Sequence, residues 1–201
     1  MIKNVVFDFG QVLVHFEPAY IVSQYVTDAE DAALLERVLF SRRYWDRLDE
    51  GTLDNDEMLA QCNALLPARL HDTARDIIYG WIHNLPEMEG MRALVKELKE
   101  VYGVKLFLLS NISVYFAAHA SEFSILSLFD DCVFSGVCKK VKPHAEIFAH
   151  LCEQCNITPE ETVFVDDNTA NIAAAREYGI TGYLFDGDAE RLRAYLSDLL
   201  K

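Results

Sequence analysis

Five short runs, residues 4–7, 105–109, 132–134, 162–165 and 182–185, are rich in β-branched and aromatic residues and almost uniformly apolar rather than alternating. A strand that is apolar on both faces has to be covered on both sides, which is the situation of a parallel sheet packed between helices. The segments between these runs carry helical patterns, and strand–helix alternation leads to the same α/β architecture.

The spacing of the runs is uneven. About 90 residues with little strand character separate the first two, far more than a simple crossover requires. That stretch reads as a helical insert. Thr27, Asp28, Ala29 and Glu30 open an amphipathic helix containing Leu34, Leu35, Val38 and Leu39; Asp54 and Glu57 open another; Ile77, Ile78 and Trp81 mark a third. Pro86 is then expected to start the helix that returns to the core. The expected domains are residues 1–15 and 86–201 for the core and 16–85 for the cap, hinged near residues 15–18 and 84–86. Further on, a helix is expected over residues 143–154, and Thr158, Pro159, Glu160 and Glu161 stand in the order of an N-cap, a first-turn proline and a capping-box acid.

Composition narrows the class. A chain of 201 residues with 51% hydrophobic and 25% charged residues is globular rather than disordered. The 18 Lys and Arg against 32 Asp and Glu give a net charge of -14, which opposes binding to nucleic acid or an anionic bilayer and favours a small ligand. No apolar stretch approaches the roughly 20 residues of a membrane span, and Met1 leads into a strand without a signal-like segment, so a cytoplasmic location is expected. Cys62, Cys132, Cys138, Cys152 and Cys155 are odd in number and scattered, which argues against a disulfide framework. Cys152 and Cys155 form a C-x-x-C on one helix face with no second pair to complete a zinc site, and read as structural thiols.

The chemistry is expected at the carboxyl ends of the strands, where open α/β sheets bind ligands. The first run ends at Asp8, the second at Ser110 and Asn111, the third leads toward Lys142 and Pro143, and the fourth ends at Asp166, Asp167 and Asn168. An ionised carboxylate at the tip of a buried strand is costly unless cations or donors meet it. Carboxylates from separate strands suit Mg²⁺, which takes oxygen ligands and keeps waters that a phosphate can replace, while a lysine and a hydroxyl take the remaining phosphate oxygens.

In this order the segments VVFDFGQVLV (residues 5–14), LLSN (108–111), KP (142–143) and VFVDDNTANI (163–172) resemble the four motifs of the haloacid dehalogenase superfamily of phosphatases. The resemblance spans essentially the whole chain. It is nearest to the α-D-glucose-1-phosphate phosphatase type and the phosphatase domain of bifunctional epoxide hydrolases. It implies a Rossmann-like three-layer α/β/α core with an inserted helical cap of the cap-one class, and a Mg²⁺-dependent phosphatase acting on a small phosphorylated metabolite, a sugar phosphate in particular. By position it makes Asp8 the nucleophile that carries the phosphoryl group. Ser110 and the Asn111 backbone would hold the transferring oxygens, and Lys142 would neutralise charge. The metal ligands would be Asp8, Asp167 and the Gly10 carbonyl, with Asp166 in support.

One position departs from the superfamily pattern. The second aspartate, which protonates the leaving group and later activates water, is replaced by Gly10, and Gln11 stands where a glycine usually follows. Such an acid is worth about 10²–10⁴-fold in rate. The departure implies a slow phosphatase, another proton donor such as His15, or a phosphate-binding regulatory protein with little turnover; it disfavours a phosphomutase. In the insert, Arg42, Arg43, Tyr44, Trp45 and Asp46 cluster before Gly51, suited either to substrate contact through Arg42 and Trp45 or to packing within the cap. Asn171 reads as a local packing or capping residue.

Overall fold

The computed structural model describes residues 1–201. All five expected strands are present as β1 (Asn4–Phe7), β2 (Lys105–Ser110), β3 (Asp131–Phe134), β4 (Thr162–Asp166) and β5 (Thr181–Leu184), with shifts of one residue at some ends. They form one all-parallel sheet in the order β3-β2-β1-β4-β5. Successive strands step outward from β1 to one side and then resume at β4 on the other, so the direction of winding reverses between β1 and β4. A ligand crevice belongs at that reversal.

Alternate residues of each strand feed two apolar layers, which is why the runs read as uniformly apolar. Val6, Phe107, Leu109, Val133 and Phe164 face one layer; Val5, Phe7, Leu106, Leu108, Val163 and Val165 face the other. The second layer continues without a break into the segment between β1 and β2, through Leu13, Ile21, Leu35 and Trp81, and into the helix after β2 through Phe116.

The helices between β1 and β2 are α1 (Pro18–Ser23), α2 (Ala29–Leu39), α3 (Arg42–Asp49), α4 (Asn55–Asn63) and α5 (His71–Gly80), followed by α6 (Met91–Glu100). Two start as expected: Asp28 accepts from the Asp31 amide and Asp54 from the Glu57 amide, each capping the first turn. After β2 come α7 (Val114–His119), the short α8 (Ser135–Cys138), α9 (Ala145–Cys155), α10 (Thr169–Tyr178) and α11 (Ala189–Leu199). No helix is long and apolar enough to cross a membrane.

Two expected helix starts are not observed. Pro86 does not open α6. Residues around it run alongside the other connection, with the His15 amide donating to the Pro86 carbonyl, the Met88 amide to the Leu13 carbonyl, and Val14 and Glu87 forming an antiparallel bridge. Helix α6 starts only after Gly90, whose φ of +79° turns the chain. Thr158 likewise caps no helix: residues 159–161 make a single 3-10 turn that enters β4 directly. There the Lys3 amide already donates to the Glu161 carbonyl, so pairing beside β1 claims the segment before a helix can propagate.

Helix α3 is tied to the sheet end at a glycine pair. Gly51 has φ +66°, and a Cβ there would lie 2.2 Å from the Gly136 carbonyl oxygen. Ser135 Oγ donates to the Asp49 carbonyl at 2.6 Å, joining the last turn of α3 to the start of α8. Gly51→Ala combines a left-handed backbone penalty with overpacking, and is expected to lower stability by about 2–4 kcal/mol in denaturant titrations. A loss below about 0.5 kcal/mol would mean that this junction yields easily.

Candidate active site

The register of the sheet puts Asp8 beside Asp166. Phe7 pairs with Val165, and the Asp8 amide donates to the Val165 carbonyl at 2.9 Å, so the next residue of each strand emerges at the same edge. Lys142 reaches between them from the loop before α9. Its Nζ lies 2.9 Å from Asp8 Oδ1 and 2.7 Å from Asp166 Oδ2, with the lysine and Asp166 side chains almost wholly buried. Burial alone would lower the Lys142 pKa, but Asp8 and Asp166 outweigh it and hold the ammonium above its ordinary value. Burial raises the Asp8 pKa to about 6, with Lys142 pulling it down and Asp166 pushing it up. Asp8 also accepts from the Phe9 amide at 2.7 Å.

Asp166 is held from several sides. Besides Lys142 it accepts from the Asn168 amide and from Asn171 Nδ2, so Asn171 orients a site carboxylate rather than merely packing. Asp167 is exposed and accepts from no neighbouring side chain, leaving its oxygens free. Asn168 caps α10 through the Ala170 and Asn171 amides. Asn111 clamps the Lys142 backbone by two bonds, Nδ2 to the Lys142 carbonyl at 2.9 Å and the Lys142 amide to Oδ1 at 2.8 Å. Its side chain therefore positions the lysine and leaves only its backbone for a ligand. Ser110 is buried at the end of β2 and lines the same cavity.

Asp8, Gly10, Ser110, Lys142 and Asp167 share one cavity of about 360 Å³ between the sheet edge and the helices that follow β1. Asp8, Asp166 and Asp167 can each offer an oxygen within 4.8 Å of one another. An all-carboxylate set of this kind fits a hard divalent cation such as Mg²⁺. The five cysteines are free.

The far wall is aromatic. Phe40 and Trp45 stack at 5.2 Å, and Phe16 and Trp81 pack edge-on against Trp45 at 5.0 and 5.1 Å. The indole of Trp45 is fixed by donating to the Leu39 carbonyl at 2.8 Å, so it serves both as packing and as cavity wall. Arg42, 90% exposed, pairs with Asp46 at 3.1 Å at the cavity rim. His15 does not line the cavity. A Cβ at Gly10 would meet nothing nearer than Phe16 Cβ at 3.7 Å, so crowding at the first side-chain carbon does not require the glycine.

Sequence reasoning missed Asp49, at the end of α3. It lines the cavity, and burial pushes its pKa up to about 7, with Asp46 and Asp8 adding to the rise and Lys142 and Arg42 opposing it. A carboxylate on an unrecognised short helix gives no spacing signal linking it to Asp8.

Over 198 residues the chain is 29% identical to the D-ribitol-5-phosphate phosphatase of Bacteroides thetaiotaomicron, covering 94% of this chain and 95% of that one. It is 25% identical to the sesquiterpene phosphatase astK of Aspergillus oryzae, covering 90% and 88%. Among solved structures, a HAD-like family hydrolase from Porphyromonas gingivalis superposes with a TM-score of 0.73 at 25% identity, over 100% of this chain and 99% of that one. A HAD family enzyme of Bacteroides thetaiotaomicron, solved in complex with magnesium and inorganic phosphate, shares the fold at 21% identity and a TM-score of 0.72, over 96% and 99%. Residues 2–179 match the haloacid dehalogenase-like hydrolase family, and with the sheet order and the strand-end carboxylates described above, the chain belongs to that family.

Proposed function

We propose that the protein is a Mg²⁺-dependent phosphoric monoester hydrolase, acting on a small phosphorylated metabolite through a phosphoryl group carried transiently on Asp8. The observation that supports it most is the single cavity where Asp8, paired with Lys142, meets the unengaged Asp167. The two related phosphatases act on phosphorylated small molecules by name, which supports the same reaction class here.

In this reading an Asp8 oxygen attacks phosphorus and the ester oxygen departs with the electron pair of the broken bond. Water then cleaves the aspartyl phosphate. Lys142 stays beside the attacking oxygen and balances the charge that builds on the phosphoryl group, already oriented by Asp166 and the Asn111 clamp. Ser110 and the Asn111 backbone receive phosphoryl oxygens. Asp8, Asp167 and the Gly10 carbonyl would hold Mg²⁺, with Asp166 behind them, and the ion would supply further neutralisation of phosphate charge.

Residues 16–85 would act as the cap and residues 1–15 and 86–201 as the catalytic core. The aromatic wall and the Arg42–Asp46 pair suit a polyol or sugar whose carbon face stacks on Trp45 while its hydroxyls reach the rim. A reducing compartment such as the cytoplasm suits five free thiols.

Hydrolysis of 4-nitrophenyl phosphate and of a panel of sugar and sugar-alcohol phosphates tests the reading. Phosphate release is expected with Mg²⁺, falling by about 10²–10³-fold after EDTA dialysis and returning when Mg²⁺ is added back. No release from any ester, with Mg²⁺-dependent phosphate binding retained, would instead favour a regulatory phosphate-binding protein, consistent with the glycine at position 10.

A further inference from the structure

Hydrolysis of an ester with a poor leaving group needs a proton donor, and the first strand does not supply one because position 10 is Gly10. His15 lies outside the cavity lining, which removes the other candidate near the first strand. Across the cavity from the strand end, the last turn of α3 brings a carboxylate to the same space.

We propose that Asp49 is the catalytic acid and base of this site, donating a proton to the departing ester oxygen and later withdrawing one from the attacking water. This rests on the phosphatase reading above and assigns it a further residue. Three features of the geometry carry it. Asp49 lines the cavity together with Asp8 and Lys142. No hydrogen bond or ion pair engages its carboxyl group, although Asp46, one turn earlier, is paired with Arg42. Its backbone is fixed to the sheet edge, since the buried Ser135 hydroxyl donates to the Asp49 carbonyl at 2.6 Å and the following turn seats Gly51 against Gly136.

The charged groups that act on Asp49 are Arg42 and Asp46 on its own helix, Asp8 at the end of β1 and Lys142 from the loop before α9. Burial is the largest influence and favours the protonated form, so a proton is available near neutral pH.

In the first step the Asp8–phosphorus bond forms as the ester bond breaks, and the Asp49 proton passes to the departing oxygen to give the free alcohol. In the second, water adds to phosphorus, its proton passes to the Asp49 carboxylate, and the bond to Asp8 breaks. Phosphate leaves, with Asp8 ionised and Asp49 protonated as at the start.

The test compares 4-nitrophenyl phosphate, whose phenolate leaves without help, with an alkyl phosphate such as ribitol 5-phosphate. For Asp49→Asn, steady-state turnover of both is expected to fall by about 10²–10⁴-fold. With the aryl ester the slow step becomes water attack, so one equivalent of 4-nitrophenol should appear in a rapid burst. With the alkyl ester the first step is itself slow, and no burst of alcohol should appear. Asp49→Glu should recover part of the alkyl activity, which a merely structural defect would not. Equal losses on both esters without a burst, or undiminished alkyl turnover, would overturn the assignment to Asp49 while leaving the phosphatase reading intact. Wild-type protein that hydrolyses neither ester would overturn both.

Discussion

Asp8→Asn is expected to reduce hydrolysis of every phosphate monoester by about 10⁴-fold or more, while the folded protein becomes more stable rather than less. The first half follows from the role of a covalent nucleophile. An amide oxygen at that position is far less nucleophilic than a carboxylate, and removing a nucleophile removes the covalent route whatever else remains in the cavity.

The second half follows from what the wild-type carboxylate costs. Burial raises the Asp8 pKa from its ordinary 3.8 to about 6, so the ionised form is less favourable in the folded chain than in the unfolded one. For a carboxyl with a raised folded pKa, the unfolded state gives up its proton first. Stability is therefore lost as pH rises from about 4 through about 6, and the whole loss is present at pH 7. A neutral amide removes that term. The Lys142 ammonium is then left with Asp166 as its one close carboxylate. Urea titrations without Mg²⁺ should show the variant about 1–3 kcal/mol more stable at pH 7, with the advantage vanishing near pH 4. Full activity in the variant, or an equal stability gain at both pH values, would contradict the role and the electrostatics respectively.

Much of this architecture can be read from the chain because both sheet faces are covered. Covered strands are uniformly apolar, so their limits show, and the polar residues that end them stand out: Asp8, Ser110, Asp166 and Asp167 each mark the point where a buried strand reaches the cavity edge. The run of helices between β1 and β2 is legible from the length of that stretch and its lack of strand character. Boundaries failed where long-range pairing overrode local preference. Residues near Pro86 and Thr158 have helix-start composition, yet their backbone groups bond to Leu13 and His15 in one case and to Lys3 in the other.

What could not be read was the second wall of the cavity. The pairing of Asn171 with Asp166 depends on one turn of α10 folding back over the strand end. The placement of Asp49 depends on Ser135, 86 residues away, gripping the end of α3. Neither relation leaves a periodicity or a motif. The cluster at Arg42–Asp46 was visible as a group but not as a helix, and its members divide by direction: Tyr44 enters the core, Trp45 walls the cavity and Arg42 reaches solvent.

Lys142→Met is expected to damage both stability and turnover, in a way that separates buried charge from lost packing. Methionine keeps most of the apolar stem and removes only the ammonium, whose Nζ lies 5.2 Å from the centre of the Phe164 ring. Asp8 and Asp166 would then face each other with no cation between them. Removing one partner of a buried ionic group costs about 3–5 kcal/mol, because the remaining charge stays desolvated. The Asp8 carboxyl can relieve this by retaining a proton, which raises its pKa further in the folded variant. Its stability should therefore be closest to wild type below about pH 4 and fall away as pH rises, the window in which the unfolded chain ionises and the folded chain resists. Adding Asp8→Asn to Lys142→Met should restore part of the stability at pH 7, since the two facing carboxyl groups are reduced to one and Asp166 still accepts from the Asn168 amide and Asn171. It should restore none of the activity. For the single variant, the loss of a pre-positioned cation beside the attacking oxygen should lower turnover by about 10²–10³-fold. A stability loss that is the same at pH 4 and pH 8, and is not relieved by Asp8→Asn, would show that Lys142 acts on the fold through packing and not through its charge.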